Sequence, residues 1–186
     1  MRAIMKRQLL HTPEGVRDIY NDECEKKMLL QDQLYHILRL HGYHPIQTPT
    51  FEFFDIFGRE IGTTPSKDLY KFFDREGNTL VLRPDITPQI ARATATLFKD
   101  DEFPARLCYV GNTFINHSSY QGRLKEITQT GAEMIGLDAA DADAEMLALV
   151  IDCLKNAGLE EFQISIGNVD FFQSLIAVSY THLTLP

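Results

Sequence analysis

The apolar and polar positions of this chain are arranged around one long stretch, Arg106 to Asp138. Two β-rich arms in this stretch flank a polar run, residues 116–122, and the arrangement predicts a long antiparallel hairpin. Gln129 and Glu133 lie four residues apart on the second arm, so a regular strand points both side chains to one face of the sheet. They can hold a cationic or amide-bearing ligand there, although such pairs more often form the solvent face of a half-buried sheet.

Upstream of the hairpin, apolar residues at helical spacing predict a helix from about Glu23 to His41. Asp22 and Glu25 have the spacing of a capping box at its start. Gly42 follows its last apolar position and is expected to stop it. The sequence therefore carries a boundary signal at each end of this helix.

Two more helices are predicted, one on each side of the hairpin. The first has Thr87 as N-cap and Pro88 at the first helical position, and the second is capped by Asp141 and ends before Gly158. Their apolar stripes predict which positions face the core. In the first of these helices the predicted buried positions are Ile90, Ala91, Thr94, Leu97 and Phe98.

Short apolar runs between the helices predict strands. Residues 43–54, YHPIQTPTFEFF, contain two prolines, which cannot donate to a ladder and therefore favour a sheet edge. An unpaired edge invites a second copy of the chain, so a dimer through this strand and an ordinary edge strand in a monomer stay equally open. Residues 69–85 predict a second hairpin with Gly77 in its turn, and residues 162–167 predict one more strand.

The order of these elements predicts an α+β domain built on an antiparallel sheet. Neither an internal repeat nor a low-complexity linker occurs, so one domain is expected over residues 1–175. Residues 176–186 do not continue the pattern and resemble the read-through peptides that sequencing adaptors leave. We therefore expect a non-native tail from about Leu175 onward and a natural protein that is longer than this chain.

Composition narrows the function classes. The 186 residues are 44% hydrophobic, which supports a core, and their net charge of −8 argues against broad electrostatic binding to nucleic acid or an anionic membrane. Cys24, Cys108 and Cys153 are far apart and form no CxxC pair, which predicts reduced thiols and no zinc site. The first residues lack the apolar core of a secretory signal, and no apolar run approaches the ~20 residues of a membrane span. These features predict a cytoplasmic protein.

Three segments resemble the motifs of one enzyme family. Residues 43–54 resemble motif 1 of the class II aminoacyl-tRNA synthetases, with Pro49 at the motif's proline. Residues 80–87, LVLRPDIT, resemble the LRPEGT segment of the histidyl members. The hairpin from Arg106 to Gly136 resembles motif 2.

The resemblance extends over residues 10–172 and implies both a fold and a site. It implies a class II synthetase-like antiparallel sheet flanked by helices, whose last strands are expected beyond residue 186. Residues 1–175 are then a partial catalytic-core domain. Matched residue by residue, four positions fall where histidyl-tRNA synthetases hold the amino group and imidazole of histidine: Asp85, Thr87, Gln129 and Glu133.

One position departs from the pattern of that family. Motif 2 of a working synthetase opens with Phe-Arg-x-Glu, whose arginine stabilises charge in the adenylation transition state. Here the stretch reads Phe-Ile-Asn-His, with Ile115 in place of the arginine, and the next arginine is Arg123. Losing one such donor typically costs ~10²–10³ in rate, and a charged one more. We therefore expect no catalytic residue and no aminoacylation.

A retained pocket beside a disabled motif 2 resembles the family of ATP phosphoribosyltransferase regulatory subunits, the synthetase paralogues of histidine biosynthesis. That resemblance implies a non-catalytic protein without a cofactor. It implies assembly with a short-form catalytic subunit, which joins ATP to phosphoribosyl pyrophosphate, and feedback inhibition by histidine through this chain. It also implies self-association through motif 1 and neither a tRNA nor a membrane partner.

Two other functions stay open. One is a divergent histidyl-tRNA synthetase, whose motif 3 and anticodon-binding domain would lie beyond residue 186, and the other is a free-standing histidine-binding or dimerisation module. Arg123 with Lys125 is a candidate anion contact for a phosphate-bearing effector, although alternating charges on a strand more often form its solvent face. His117 is more often a solvated loop residue than a general acid. Three histidines do not share one helix face and predict no metal site: His36, His41 and His44.

Overall fold

The fold was examined in a computed structural model, which describes residues 10–58, 64–98, 104–118 and 122–183. Helices and strands alternate along these residues, with one short 3₁₀ turn at Ser66–Asp68. The elements in chain order are α1 Asn21–Leu40, β1 His44–Pro45, β2 Phe51–Phe53, α2 Asp55–Gly58, β3 Lys71–Phe73, β4 Thr79–Leu82, α3 Thr87–Leu97, β5 Ala105–Phe114, β6 Glu126–Ile135, α4 Ala140–Asn156 and α5 Val169–Leu183.

The long hairpin predicted from the sequence is the pair β5–β6. Its two ten-residue strands are antiparallel and in continuous register, from Ala105 opposite Ile135 to Phe114 opposite Glu126. On the other side of β5, β1 pairs in parallel. The α+β prediction is therefore confirmed, while the sheet that contains the hairpin is mixed and not antiparallel throughout.

A second sheet has the order β2-β4-β3 and is antiparallel, and Gly77 forms the predicted turn with φ +86°. Residues 43–54 were predicted as one strand, but they are divided between the two sheets. The reason lies at Thr48 and Pro49, whose carbonyl oxygens turn away from any ladder and accept hydrogen bonds from Arg83 and Gln89. Pro49 therefore lies at the crossing from one sheet to the other, whereas Pro45 belongs to β1.

Of the two boundary signals predicted for α1, one is wrong and one is confirmed. Its N-cap is Tyr20, without a side-chain cap bond, so the predicted capping box is wrong. The neighbouring Glu23 forms an ion pair with Arg17 outside the helix, with 3.0 Å between Nη1 and Oε2. At the other end the prediction is confirmed, because Gly42 adopts φ +83° and donates its N–H to Arg39 O at 3.1 Å.

The start of α4 and the segment behind it differ from expectation. The helix begins at Ala140 with Ala139 as N-cap and no side-chain cap bond, so Asp141 is not the cap, whereas Gly158 follows the helix end as predicted, with φ +92°. The strand predicted at 162–167 does not form, since no described strand pairs with it. The chain re-enters a helix at Val169, and the expectation of a non-native tail stays a prediction.

Two faces of the β5–β6 hairpin are covered by different helices. The packed face carries the even-numbered residues from Arg106 to Met134 and lies against α1 and α4, where Cys108 joins the buried cluster of Ile37, Leu38, Tyr43 and Leu149. The site face carries the odd-numbered residues from Leu107 to Ile135. The part of this face around Leu107 and Tyr109 packs against the α3 region. Four buried residues form the cluster there: Leu107, Tyr109, Ile86 and Ile90.

The same packing corrects the face predicted for α3. Ile90 and Thr94 are buried as expected, but Ala91 and Leu97 are exposed. Gln89 is fully buried, because its side chain donates to Pro49 O and accepts from Thr48 Oγ1, both at 2.9 Å. A polar residue thus occupies a core position that an apolar pattern cannot reveal. Within the described residues no helix is long and apolar enough to cross a bilayer.

Candidate functional site

Three of the four predicted ligand residues meet where the start of α3 faces β6. Thr87 donates through Oγ1 to Glu133 Oε1 at 2.6 Å. Thr87 was predicted as the N-cap of α3, but the helix begins at Thr87 itself and its hydroxyl is bound to Glu133 instead. The N-cap is Ile86, without a side-chain cap bond, and Asp85 just before it accepts the backbone N–H of Ile86 through Oδ1 at 2.7 Å.

Gln129 is the fourth predicted residue, and it lies on the site face with Glu133. The two residues oppose Gly111 and Leu107 in the ladder. Gln129 Oε1 is buried and accepts no hydrogen bond from any described residue. A buried acceptor without a hydrogen-bond partner costs about 1–3 kcal/mol of folding free energy. A ligand that donates a hydrogen bond to this oxygen would remove that cost.

The site concentrates negative charge. Burial raises the pKa of Glu133, the charge of Asp85 raises it further, and the hydrogen bonds from Thr87 and Tyr109 act in the opposite direction. None of the ion pairs between described residues includes Asp85 or Glu133. A cationic ligand group that donates hydrogen bonds therefore suits the site, because it would relieve the unpaired charge.

Tyr109 is a member of the site that sequence reasoning missed. Its hydroxyl lies 3.4 Å from Glu133 Oε1, and burial followed by the charge of Glu133 raises the pKa of Tyr109 to about 12. The ring covers Gly131, its partner in the ladder, where an added Cβ would lie 2.5 Å from the phenolic oxygen. A glycine inside a strand signals such a close approach, and this signal was available in the sequence.

Arg83 is the second residue that was missed. Its side chain is buried, and it donates through Nε to Asn112 O at 2.7 Å and through Nη1 to Thr48 O at 2.9 Å. Burial lowers the pKa of this guanidinium. A Cβ added to Gly111 would overlap Nη2 of Arg83, so the guanidinium lies directly over that glycine. The arginine thus ties the loop before α3 to β5.

The lost motif 2 position and the candidate anion contact lie at the far end of the hairpin. Ile115 follows β5 and is half-buried, and its backbone N–H donates to Lys125 O at 2.9 Å. Arg123 is exposed and, with Lys125 and Gly15, lines a cavity of about 230 Å³ that none of the four predicted ligand residues lines. The structure therefore separates Arg123 from the predicted histidine site.

The part of the chain that the structure describes contains no set of side chains suited to bind a metal ion. No group of three or more His, Cys, Asp or Glu side chains is placed there to hold an ion. His41 Nε2 lies 2.9 Å from Asp152 Oδ2, and this pair links α1 to α4. The backbone N–H of His117 donates to Ile115 O at 3.0 Å.

Comparison with known proteins assigns the chain to a protein family. The model of the histidyl-tRNA synthetase family matches residues 15–182. The chain belongs to the histidyl-tRNA synthetase family. Its membership confirms the class II synthetase-like fold inferred from motifs 1 and 2, and solved members of the family share the architecture.

Curated relatives of this chain are named ATP phosphoribosyltransferase regulatory subunit. The chain is 46% identical to the ATP phosphoribosyltransferase regulatory subunit of Acetivibrio thermocellus over 167 residues, which cover 90% of this chain and 40% of the relative. It is also 46% identical to the regulatory subunit of Ruminiclostridium cellulolyticum, covering 92% and 41%. The chain thus spans about two fifths of these relatives, and the resemblance to the regulatory subunits is confirmed.

Solved structures similar to this chain include proteins titled as regulatory subunit and as histidyl-tRNA synthetase. A protein of Bacillus halodurans titled as ATP phosphoribosyltransferase regulatory subunit/histidyl-tRNA synthetase is 38% identical, with a TM-score of 0.82 over 90% of this chain and 43% of that one. The apo histidyl-tRNA synthetase of S. aureus is 29% identical, with a TM-score of 0.68 over 81% and 35%. The fold is therefore common to regulatory and synthetase relatives, so function has to be argued from the site.

Proposed function

We propose that this chain is a non-catalytic histidine-binding regulatory component of an ATP phosphoribosyltransferase. In this role it is required by a short-form catalytic subunit and transmits feedback inhibition by histidine. The observation that carries the proposal is the acceptor-rich site on the hairpin, in which Gln129 Oε1 has no partner among the described residues and the carboxylate of Glu133 has no cation.

Histidine supplies the groups that such a site lacks. Its ammonium donates three hydrogen bonds and its imidazole one or two, while the four predicted residues offer carboxylate, hydroxyl and amide oxygens. Charge-assisted hydrogen bonds to Asp85 and Glu133 would be roughly twice as strong as neutral ones. The raised pKa of Glu133 fits this role, because a bound cation offsets the cost of burying its charge.

The absence of catalysis is proposed from Ile115. An isoleucine offers no charge to a developing phosphorane, and Arg123, the next arginine, lines a separate cavity. Removing a preorganised donor of this kind costs about 10²–10³ in rate. The names of the regulatory relatives support this interpretation, and the synthetase titles of solved relatives keep a divergent synthetase as the second candidate.

Feedback requires that histidine bind the inactive assembly more tightly than the active one. A coupling of about 1–3 kcal/mol, or 5- to 150-fold, is sufficient for clear regulation. We expect the regulated complex in the cytoplasm, with a motif 1-type dimer of this chain as its core and without bound tRNA. The partner is the short-form catalytic subunit of the transferase.

The test mixes the purified protein with a short-form catalytic subunit, ATP and phosphoribosyl pyrophosphate, and follows phosphoribosyl-ATP with and without histidine. We expect activity only in the mixture, inhibition by histidine, and a higher half-inhibiting concentration for Asp85→Asn. Asp141→Asn is the matched control, since Asp141 is exposed on α4 and caps nothing.

Each rival function has its own outcome in the same experiment. Unchanged transferase activity and no complex on mixing would favour a free-standing histidine-binding module. Formation of histidyl-adenylate from histidine and ATP would favour a divergent synthetase. Histidine inhibition identical in Asp85→Asn and wild type would place the effector elsewhere.

A further inference from the structure

Asp85 and Thr87 lie on a short stretch, residues 83–89, which joins β4 to the first turn of α3 and which we call the site segment. Two of its residues, Pro84 and Pro88, have no backbone N–H, and the N-cap Ile86 forms no side-chain cap bond. Local capping therefore contributes little to fixing the two predicted ligand residues. The groups that hold this segment in place come from elsewhere in the chain.

A buried polar side chain lies on each side of the two ligand residues. Arg83 precedes Asp85 by two residues and is 7% exposed, and Gln89 follows Thr87 by two residues and is 0% exposed. Burying a polar side chain is costly unless its hydrogen bonds are made. A buried polar network whose members are satisfied also holds its surroundings in one arrangement, which an apolar side chain does less strictly.

Both side chains are anchored on the crossing between the two sheets. Pro49 O accepts a hydrogen bond from Gln89 Nε2 at 2.9 Å and another from Arg83 Nη1 at 3.3 Å. Thr48 accepts from Arg83 Nη1 through its carbonyl oxygen and donates through Oγ1 to Gln89 Oε1, both at 2.9 Å. The backbone N–H of Arg83 donates to Thr50 O at 3.0 Å. The crossing thus holds the site segment at both of its ends.

The same anchor ties the site segment to the hairpin. Arg83 donates through Nε to Asn112 O at 2.7 Å, and its carbonyl oxygen accepts the backbone N–H of Phe114 at 2.9 Å. Both contacts lie on β5, the strand that pairs with β6. The 2.6 Å hydrogen bond from Thr87 to Glu133 on β6 is therefore made by a segment that is fixed to the hairpin at one end and to the crossing at both.

We propose that Gln89 is a positioning residue of the histidine site, an inference that rests on the proposed function. Its amide fixes the α3 end of the site segment to Thr48 and Pro49, so that the two ligand residues on the segment are held in place before histidine binds. A ligand that binds only the held arrangement loses apparent affinity in proportion to the fraction of molecules in which the segment is released. Gln89 acts through Asp85 and Thr87 and does not itself contact the ligand.

The direct test is Gln89→Met, which keeps the length of the side chain and removes both of its hydrogen bonds. Each lost bond shifts the balance between the held and the released segment by about 2- to 10-fold, so histidine binding should weaken on the order of 10-fold. Calorimetric titration of histidine into the purified protein measures the affinity. Denaturant unfolding of the same sample shows that the variant is folded.

Thr48→Val tests the same contact from its other side and replaces Gln89→Met if that variant does not fold. Valine has nearly the shape of threonine but cannot donate to Gln89 Oε1, and histidine binding should weaken about 2- to 10-fold. Thr48→Ser keeps the hydroxyl and should bind histidine as wild type does. Thr94→Val is the matched control on α3, since Thr94 is 3% exposed and its Oγ1 has no partner among the described residues. It should leave histidine binding unchanged.

The outcomes separate this inference from the proposed function. Wild-type affinity for histidine in folded Gln89→Met or in Thr48→Val overturns the positioning role and leaves the proposed function standing. Equal losses in Thr48→Val, Thr48→Ser and Thr94→Val also overturn it, because any change to this part of the core would then weaken the site. Wild-type protein that does not bind histidine overturns the proposed function and the role of Gln89 with it.

Discussion

The packed face and the site face of the same hairpin use their residues in opposite ways. On the packed face, polar groups have partners: Arg106 donates to both carboxylate oxygens of Glu145 at 3.0 and 2.9 Å, and Asn112 donates to Glu126 at 2.7 Å. Between them lies Cys108, which is fully buried. These polar side chains are thus satisfied by other described residues of the same chain.

The site face is incomplete in the same structure. Among the described residues, Gln129 Oε1 has no donor, the half-buried carboxylate of Glu133 has no cation, and Nη2 of Arg83 has no acceptor. Gly111 and Gly131 leave the space that an arginine and a tyrosine fill. Substitutions on the packed face should therefore affect stability, whereas substitutions on the site face should affect ligand binding.

The largest effect is expected on the packed face. Leu149→Ala removes a side chain that is 2% exposed in the cluster with Cys108, and it should lower the free energy of unfolding by about 2–5 kcal/mol. Denaturant unfolding measures the loss. Val150→Ala is the neighbouring control, because Val150 is 44% exposed and should change stability by only about 0.5 kcal/mol. Similar losses for both would contradict the assignment of the core.

Glu133→Gln should separate stability from binding. The folded pKa of Glu133 is raised, so the free energy that it contributes is fully present below the unfolded pKa of about 4.3 and is lost as pH rises through the folded value. The variant should therefore unfold at the same temperature as wild type, or higher, at pH 7. The half-inhibiting histidine concentration should rise about 10-fold or more, because a charged hydrogen-bond acceptor is lost.

Two measurements check this prediction, a thermal unfolding series across pH and a histidine titration of the assembled transferase. Glu126→Gln is the control on the same strand, since Glu126 lies on the packed face and accepts from Asn112. It should leave histidine inhibition unchanged. A wild-type histidine response in Glu133→Gln would exclude this carboxylate from the effector site.

The smallest effect is expected at Thr87. Thr87→Val removes the hydroxyl that donates to Glu133 and should weaken histidine binding by about 2- to 10-fold, which corresponds to one net hydrogen bond of ~0.5–1.5 kcal/mol. Calorimetric titration measures it. Thr87→Ser keeps the hydroxyl and should bind histidine as wild type does. If the serine variant loses as much affinity as the valine variant, shape and not the hydroxyl is responsible.

Backbone conformation explains why several boundaries were predictable. Gly42, Gly77 and Gly158 all adopt positive φ where the sequence placed a helix end or a turn. The glycine preference is intrinsic to the residue, so it acts before any tertiary contact forms. The existence of the hairpin was also predictable, since two β-rich arms flank a polar run.

Partners that are distant in sequence explain why other predictions about helix caps and strands were wrong. Asp22 and Asp141 are of a residue type that caps helices, but both helices begin before them and neither forms a cap bond. Thr87 donates its hydroxyl to a glutamate 46 residues away. The strand predicted at 162–167 has the right alternation, yet a strand also needs a neighbour to pair with, which no periodic pattern specifies. These outcomes depend on groups that are distant in sequence.

The sequence by itself determined that Gln129 and Glu133 share one face of a hairpin, because side chains alternate along a strand. Only the tertiary structure decided which face became the site. It packed α1 and α4 on one side, placed the start of α3 on the other, and brought Arg83 to Gly111 through backbone oxygens 29 to 35 residues away. Local pattern sets where a side chain points, but burial and hydrogen-bond partners from distant segments set what that side chain meets.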